Sequence, residues 1–480
     1  MRFRVLNFGF WVVLVAALAC LGSSPLHAGE TTATPSAASP APETATLQAI
    51  YTEALSRAEA YDNLVELVSR HPGRLSGSQA LTDSLGWAER KLQALGLDRV
   101  YSQEVMVPHW ERGAAESAEL LVGEARHRLS ICALGGSGAS PDGGVTAEVV
   151  EVDSLEALQS LSREQVAGKL VFFNGRMNPA LLKPGAAYAA AGPQRTRGAA
   201  AASRLGARGV LVRSLTFLQD DVPHTGTTIF PPDVERIPAV AVSTLAADRL
   251  SAAIRAGNAS GTPARVALTV NARWLPDAPS RNVIGEIRGT EFPDEIIVVA
   301  GHMDSWDIAP GAHDDGAGIV QSIEVLRLFR TLGIKPRHTL RCVVFVNEEN
   351  GSAGALRYAT EAKDAGEKHI FAIETDSGGF EPKGFALGST HLNAAARAER
   401  WRPLLAPFGL VDFRAGRGGM DVVPLMAQGA TVGDLVTDSQ RYFDIHHTRE
   451  DTIDKVNPRE LHLGAAALAT LVWLVDTQGL

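Results

Sequence analysis

Three unbroken apolar runs constrain this chain more than any other feature: Ile296–Ala300, Cys342–Val346 and Ile370–Ile373 each stop abruptly at polar or charged residues. A continuous apolar run of that length suits a strand covered on both faces, as in the parallel sheets of α/β proteins. Between the first two runs, Ile319, Ile323, Leu326 and Phe329 recur at spacings of 4, 3 and 3 and mark one face of a helix. Strand, helix, strand in that order predicts a parallel pair with a right-handed crossover. From Asn282 onward the chain is therefore read as an α/β unit.

The runs end in chemistry. The first leads into Gly301-His302-Met303-Asp304, the second into Asn347-Glu348-Glu349-Asn350, the third into Glu374-Thr375-Asp376. Ligands bind at the carboxyl ends of parallel strands. Asp314-Asp315, opening the intervening helix, and His446-His447, late in the chain, join the same inventory. Imidazole and carboxylate are the groups zinc takes when thiolates are absent, and two metals about 3.5–4 Å apart clamp the reacting oxygens of a hydrolysis. Each group has an ordinary reading by itself. His302 can be structural, Asp314-Asp315 can cap a helix, Glu348-Glu349 can be a solvated loop, and Asp376 can turn the chain. A metal site explains all of them at once.

The rest of the chain differs in texture. Thr46 to Leu97 reads as helical in two segments broken at His71-Pro72-Gly73, the second ending at Gly96, where glycine takes the left-handed cap conformation without steric cost. Val100–Val107 reads as a strand. From about Gly113 to Val270, short apolar runs (Val145–Val152, Leu170–Phe173, Val210–Val212, Ile237–Val242, Val266–Val270) alternate with Gly/Pro turns and two Ala-rich helical stretches. That region has no clustered acids at ligand-like spacing and reads as a separate α/β or mostly-β insert.

At the start, Arg2 and Arg4 precede an apolar run from Phe8 to Leu21 and a loosely A-x-A-like site at Leu26-His27-Ala28, the pattern of a secretory signal peptide over 1–28. The run is short for a membrane span of ~20 residues. Lipid attachment at Cys20 is the weaker alternative, because Ala17 stands where bacterial lipoproteins usually carry Leu. An Ala/Pro/Thr/Ser-rich linker follows over 29–45. The expected location is secreted or periplasmic, with no membrane span in the mature chain. The 54 acidic against 45 basic residues, a formal charge of −9, argue against a nucleic-acid partner. Three cysteines, Cys20, Cys132 and Cys342, are too few for a thiolate zinc site or a disulfide scaffold. Whether Cys132 and Cys342 pair stays open.

The segments GHMDSWD (301–307), GAHDDGAG (311–318), NEEN (347–350), ETDSGG (374–379) and HHTREDT (446–452), with GRLSGS (73–78), resemble those of the co-catalytic zinc aminopeptidase/glutamate carboxypeptidase family. The resemblance implies a zinc-exopeptidase α/β fold, a mostly parallel sheet with helices on both faces. It also implies two Zn2+ per chain: His302 and Asp376 on one, Glu349 and His447 on the other, Asp314 bridging. Glu348 would be the general base and acid acting on a metal-bridging water, and Asp304 would orient His302. A cis peptide would fall at Asp314-Asp315. His447 is preferred to His446 because the family's ligand directly precedes Thr or Ser. The implied substrate is a peptide or dipeptide cleaved next to a free N-terminus, so aminopeptidase and dipeptidase both stay open. A single-zinc glutaminyl cyclase and a non-catalytic receptor-like binding protein remain alternatives, and a homodimer is also left open. GKLVFF (168–173) and RGAAAASRLGARGVLVRS (197–214) are similar to a protease-associated domain. The expected division is signal peptide 1–28, linker 29–45, first part of the catalytic domain 46–112, protease-associated-like insert 113–271, and catalytic domain 272–480.

Overall fold

The computed structural model describes residues 42–114 and 116–480. The expected signal peptide and most of the linker lie outside the described residues. Three helices open the described chain, Pro42–Ser56, Ala60–Arg70 and Gln79–Ala94, where two segments from Thr46 were expected. Proline is tolerated in a first helical turn, whose N–H groups lack intrahelical partners, so the helix begins at Pro42, inside the expected linker. The extra break at Arg57–Glu59 has a tertiary cause: the Glu59 N–H donates to the Glu324 carboxylate at 3.3 Å. Ser78 caps the third helix by accepting from the Leu81 N–H at 3.1 Å. Gly96, at φ +62°, stands just beyond its end as expected.

The strands in chain order are β1 (Arg99–Glu111), β2 (Ser117–Val122), β3 (Ala125–Leu129), β4 (Ile131–Ala133), β5 (Val145–Val152), β6 (Leu170–Phe173), β7 (Gly209–Arg213), β8 (Ala239–Val242), β9 (Arg265–Thr269), β10 (Arg273–Ile287), β11 (Phe292–His302), β12 (His338–Phe345), β13 (Lys368–Glu374), β14 (Pro382–Gly388), β15 (Asp412–Ala415) and β16 (Thr431–Thr437). They form two eight-stranded sheets, in the orders β1-β10-β12-β11-β13-β16-β14-β15 and β3-β2-β9-β5-β6-β7-β8-β4.

In the first sheet β12, β11, β13 and β16 run parallel, and β1, β10 and β14 pair antiparallel. β11 and β12 are the expected parallel neighbours, joined through the helix Ala317–Thr331. Successive residues of β11 serve opposite faces. Ile297 and Val299 join the core under the helices Pro42–Ser56, Ala60–Arg70, Ala317–Thr331 and Pro458–Gln478. Ile296, Val298 and Ala300 join the core holding Tyr358 and Ala359 of the helix Ala353–Asp364. That two-sided burial is why the run is unbroken. β1 is longer than the expected Val100–Val107, because the register breaks between Val107 and His109. Pro108, which reads as a strand end, sits at that irregularity and the pairing resumes beyond it.

The second sheet is built wholly from residues 117–269. β5, β6, β7 and β8 run parallel, and β9, β2 and β3 extend one edge antiparallel. β3 was not marked in the sequence because it is an exposed edge strand, Ala-Arg-His-Arg-Leu, buried only at Leu129. Cys132 and Cys342 are both buried free thiols. The helix Pro458–Gln478 is long and apolar enough to cross a membrane by length and composition, but 72% of its apolar window is buried inside the molecule.

Candidate metal centre

β11 delivers His302 as its last residue, fully buried. The His302 N–H donates to Asp315 Oδ2 at 3.0 Å, and its Nδ1 lies 3.0 Å from the Asp304 carbonyl oxygen. A carbonyl only accepts, so Nδ1 carries the hydrogen and Nε2 presents a lone pair. Nε2 stands 3.5 Å from Asp314 Oδ1 and 3.5 Å from Asp376 Oδ1.

Asp314 and Asp315 divide two tasks. Asp315 works as a cap, accepting from the Gly318 N–H at 3.0 Å through Oδ1 while Oδ2 holds His302. Gly301 and Gly318 flank it closely. A Cβ on Gly318 would sit 2.0 Å from the Thr375 carbonyl oxygen, and one on Gly301 2.6 Å from Asp315 Oδ2. Asp314, with a cis bond to Asp315, turns its carboxylate the other way. Its Oδ1 addresses His302, and its Oδ2 lies 3.3 Å from His447 Nε2 and 3.5 Å from His446 Nε2. One carboxylate thus faces histidines on both sides, the arrangement a bridging ligand needs.

Beyond β12, Glu349 Oε2 lies 3.1 Å from His447 Nε2. Glu348, beside it, lines the adjoining cavity along with Glu349. Asp304 was expected to orient His302 through its carboxylate. Its main-chain carbonyl does that, while its two carboxylate oxygens accept from the N–H groups of Glu348 and Glu349 at 3.2 and 3.1 Å. It holds the strand-end turn that aims both glutamates. The family resemblance preferred His447 to His446, on the Thr448 that follows it. Their rings stack at 3.6 Å and both reach Asp314, but His447 also meets Glu349.

Two overlapping groups, His302–Asp314–Asp376 and Asp314–His446–His447, each bring three ligand atoms within 4.8 Å of one another. His302 Nε2, Asp314 Oδ2, Glu349 Oε1 and Asp376 Oδ1 are buried without a hydrogen-bond partner. Buried polar atoms are almost always paired. A converging set of unpaired nitrogen and carboxylate oxygen atoms fits a divalent cation with N/O preference. The electrostatics agree. Burial, with the charge of Asp314, pushes Glu349 up to about 7. Burial drives Glu348 well above the usual carboxylate range, and the charges of Asp376, Glu349 and Glu374 add to it against the pull of His302. Burial opposes the charged form of Asp314, yet hydrogen bonding and charge from His447, with the charges of His446 and His302, hold its carboxyl below the ordinary range. Too many acids share too little positive charge, a deficit that metal ions would fill.

Three supporting residues escaped the sequence reading. Asp451, inside HHTREDT, accepts from the His313 and Asp314 N–H groups at 2.7 and 3.1 Å and so fixes the backbone that carries Asp314. Arg74, inside GRLSGS and fully buried, donates to the carbonyls of Met303, Pro310 and Gly311 at 2.7, 2.6 and 3.1 Å, tying down the loop after β11. His224, from the second sheet's region, places Nδ1 2.9 Å from the His446 carbonyl, and the neighbouring Thr225 N–H donates to the His447 carbonyl at 2.9 Å. Asp451 and Arg74 lay inside quoted motifs. Nothing local marks His224.

A cavity of about 540 Å³ opens on Asp314, Glu348, Glu349, Asp376, His446 and His447, and its other wall is Tyr188, Arg195, Thr227 and Ile229 from the second sheet's region.

A profile of peptidase family M28 matches residues 282–472. The chain is similar to carboxypeptidase Q of Homo sapiens, 33% identical over 428 residues, covering 89% of this chain and 87% of that one. Carboxypeptidase Q of Xenopus laevis is 34% identical over 415 residues, with 86% and 85% covered. Among solved structures, a peptidase M28 precursor from Shewanella amazonensis SB2B superposes with a TM-score of 0.84 at 32% identity, covering 91% of this chain and 97% of that one. An aminopeptidase from Aneurinibacillus sp. strain AM-1 shares the fold, with a TM-score of 0.62 at 20% identity over 89% and 95% of the two chains.

Proposed function

The chain belongs to peptidase family M28 and is a metallopeptidase, and on that premise we propose that it is a dizinc exopeptidase, secreted or periplasmic, that hydrolyses the peptide bond next to a free N-terminus. The observation that carries the two-metal reading is the shared Asp314, whose two oxygens face His302 on one side and His447 on the other. His302 and Asp376 would hold one zinc, Glu349 and His447 the second, with Asp314 common to both. Zinc supplies Lewis-acid polarisation of the scissile carbonyl and a lower pKa for the attacking water.

The chain's own residues do the rest. Glu348 faces the cavity without a histidine partner, and its raised affinity for a proton suits a group that takes one from water and returns it to the leaving amine. Asp304 fixes the turn that carries Glu348, so base and ligand are aimed by one carboxylate. His446 stacks on His447 and is itself packed edge-on by Tyr188 at 5.1 Å, which restricts the imidazole rings to one orientation. Residues 113–271 are proposed as a protease-associated-like insert, supported by the second sheet and by the helix Pro184–Arg204 leading into β7. Its part in the reaction is to close the cavity from above the strand ends.

The test is a metal count together with a matched substrate set. Mass spectrometry of the purified enzyme should find two zinc ions per chain. A free dipeptide should be cleaved and its amino-blocked form refused. One zinc per chain, or cleavage indifferent to the amino block, would sink this reading.

A further inference from the structure

Asn347 stands between the apolar run of β12 and the two glutamates, and both ends of its side-chain amide are engaged. Its φ is +67°, a conformation that asparagine tolerates better than most side chains. Its Oδ1 accepts from the Ser352 and Ala353 N–H groups at 3.3 and 3.1 Å, at the start of the helix Ala353–Asp364. The other end of the amide is therefore Nδ2, which donates to Ser76 Oγ at 3.1 Å and to the Asn350 side chain at 2.6 Å. Gly351 lies against this hub, where an added Cβ would come within 1.9 Å of Asn347 Oδ1.

The hub settles which way the Asn350 amide faces. The atom that meets Asn347 Nδ2 has to be an acceptor, so it is Oδ1. The Asn350 Nδ2 then points away from the hub with two N–H donors, and among the described residues no protein group accepts from it. Asn350 lines the same cavity as Glu348 and Glu349. Its turn is closed by the Gly351 N–H donating to the Glu348 carbonyl at 3.4 Å. A neutral donor pair is thus fixed beside the proposed base.

Glu348 returns its proton to the leaving amine, so the leaving residue lies on the Glu348 side of the scissile bond. The first acceptor beyond that amine is the leaving residue's own main-chain carbonyl oxygen. We propose that Asn350 is a substrate-binding residue whose Nδ2 donates to that oxygen, so that the enzyme selects leaving groups that are amino acids or peptides over simple amines. The inference rests on the peptidase reading above. Because the donor is uncharged, it serves the carbonyl of a longer peptide as well as a terminal carboxylate.

Kinetics on two substrates with the same scissile bond test this: alanyl-leucinamide, and alanyl-isopentylamide, which keeps the leucine side chain on the leaving amine but lacks the carboxamide. The wild-type enzyme should favour the leucinamide in kcat/KM by at least roughly 3–10-fold, the range of one neutral hydrogen bond. Asn350→Asp keeps an oxygen for Asn347 and puts an acceptor where the donor was. It should remove the preference, mainly by raising KM for the leucinamide. Asn350→Ala should lower the preference too, and Asn350→Gln, which retains a donor, should recover part of it.

An Asn350 that only holds the turn would slow both substrates equally on substitution. That result, or a wild-type enzyme indifferent to the carboxamide, would overturn the assignment. Calorimetry with uncleavable reduced-bond analogues of the same pair gives a readout independent of turnover. Tighter binding of the carboxamide analogue that Asn350→Asp removes supports the proposal even if no peptide is hydrolysed, an outcome that would instead remove the peptidase reading. Equal binding of the two analogues overturns the proposal.

Discussion

The two sheets are close in construction and opposite in what their strand ends leave undone. Each has eight strands, and each has four consecutive parallel strands, β12-β11-β13-β16 in one and β5-β6-β7-β8 in the other. In the second sheet the polar residues near the carboxyl ends satisfy one another. Glu151 accepts from Asn174 and Ser251 at 2.5 and 2.7 Å, Arg213 donates to Asn174 and Asp248 at 3.1 and 2.8 Å, and Ser243 caps the following helix while donating to Asp221. Among these residues a single Arg213 nitrogen, Nη2, is left over, and on the loop after β7 the His224 Nε2 is also buried without a partner. In the first sheet the corresponding ends present His302, Asp314, Glu349, Glu374 and Asp376, each with a buried atom that no protein group satisfies. Parallel topology supplies a place where side chains converge. Whether that place becomes a site depends on whether the converging groups saturate each other or remain available.

On that contrast, substitutions at the first sheet's ends should cost activity far more than stability. Glu348→Gln should lower kcat by at least about 10²-fold and up to 10⁴-fold, the usual contribution of a general base, with zinc content unchanged by elemental mass spectrometry. A variant retaining more than about a tenth of the wild-type rate takes Glu348 out of the base role. Asp304→Asn keeps the shape but gives the Glu348 and Glu349 N–H groups one weaker acceptor and one amide donor to face. An activity or zinc-affinity loss of about 10–100-fold is expected, the range typical of residues that orient ligands. If Asp304→Asn is silent in both, the turn is held by the backbone and the hydrogen bonds from Asp304 are incidental.

Most of the proposed ligands of the first sheet were legible in the sequence because they sit at the ends of apolar runs, where local pattern and chemistry coincide. His302, Glu349 and Asp376 could each be placed at a strand end from the text alone, and His302 closes β11 as that reading requires. Residue type and position did not separate Asp314 from Asp315; the family resemblance singled out Asp314, and the fold supplies a physical reason, with Asp315 capping the helix through Gly318 and Asp314 facing histidines on both sides. The cavity's second wall was not legible at all. Tyr188 and Arg195 lie in an Ala-rich helix more than a hundred residues from the nearest ligand, and no local pattern says which way such a helix faces. The Arg57–Glu59 break was hidden for the same reason, since Glu324 lies 265 residues away from Glu59.

Not every buried polar group in the first sheet's region belongs to the site, and pH separates the two kinds. His369, near the amino end of β13, is buried with Nε2 2.8 Å from the Tyr358 hydroxyl; burial, with the charge of Arg341, brings its pKa down to about 4. Its folded-state value lies below the ordinary ~6.5 of the unfolded chain. Between those values the unfolded chain binds the extra proton, so stability is full above pH 6.5 and declines as the pH falls toward 4. Going from pH 7 to pH 5 should cost about 2 kcal/mol through this residue. Urea melts of the wild type and His369→Gln at both values check it. A substitution that leaves the acid-induced loss unchanged shows that other groups carry it.

The smallest effect bears most directly on the difference between the sheets. Asp248 is the anion for Arg213, whose side chain is buried, and Asp248→Asn in the second sheet's region leaves that cation with only a neutral partner. Because Asp248 is 40% exposed, water makes up part of the loss, and about 1 kcal/mol of destabilisation is expected. Asp376→Asn in the first sheet removes a charge that the metal-free protein holds at a cost, since burial raises that carboxyl above its ordinary range. Chelated Asp376→Asn should therefore be as stable as the chelated parent or slightly more so, and should lose its advantage once zinc is added. Opposite signs for the two substitutions in metal-free urea melts would mean that one sheet's polar ends hold the fold while the other's are held in place by it. The same sign in both would mean that the unpaired atoms at the first sheet's ends contribute to folding after all.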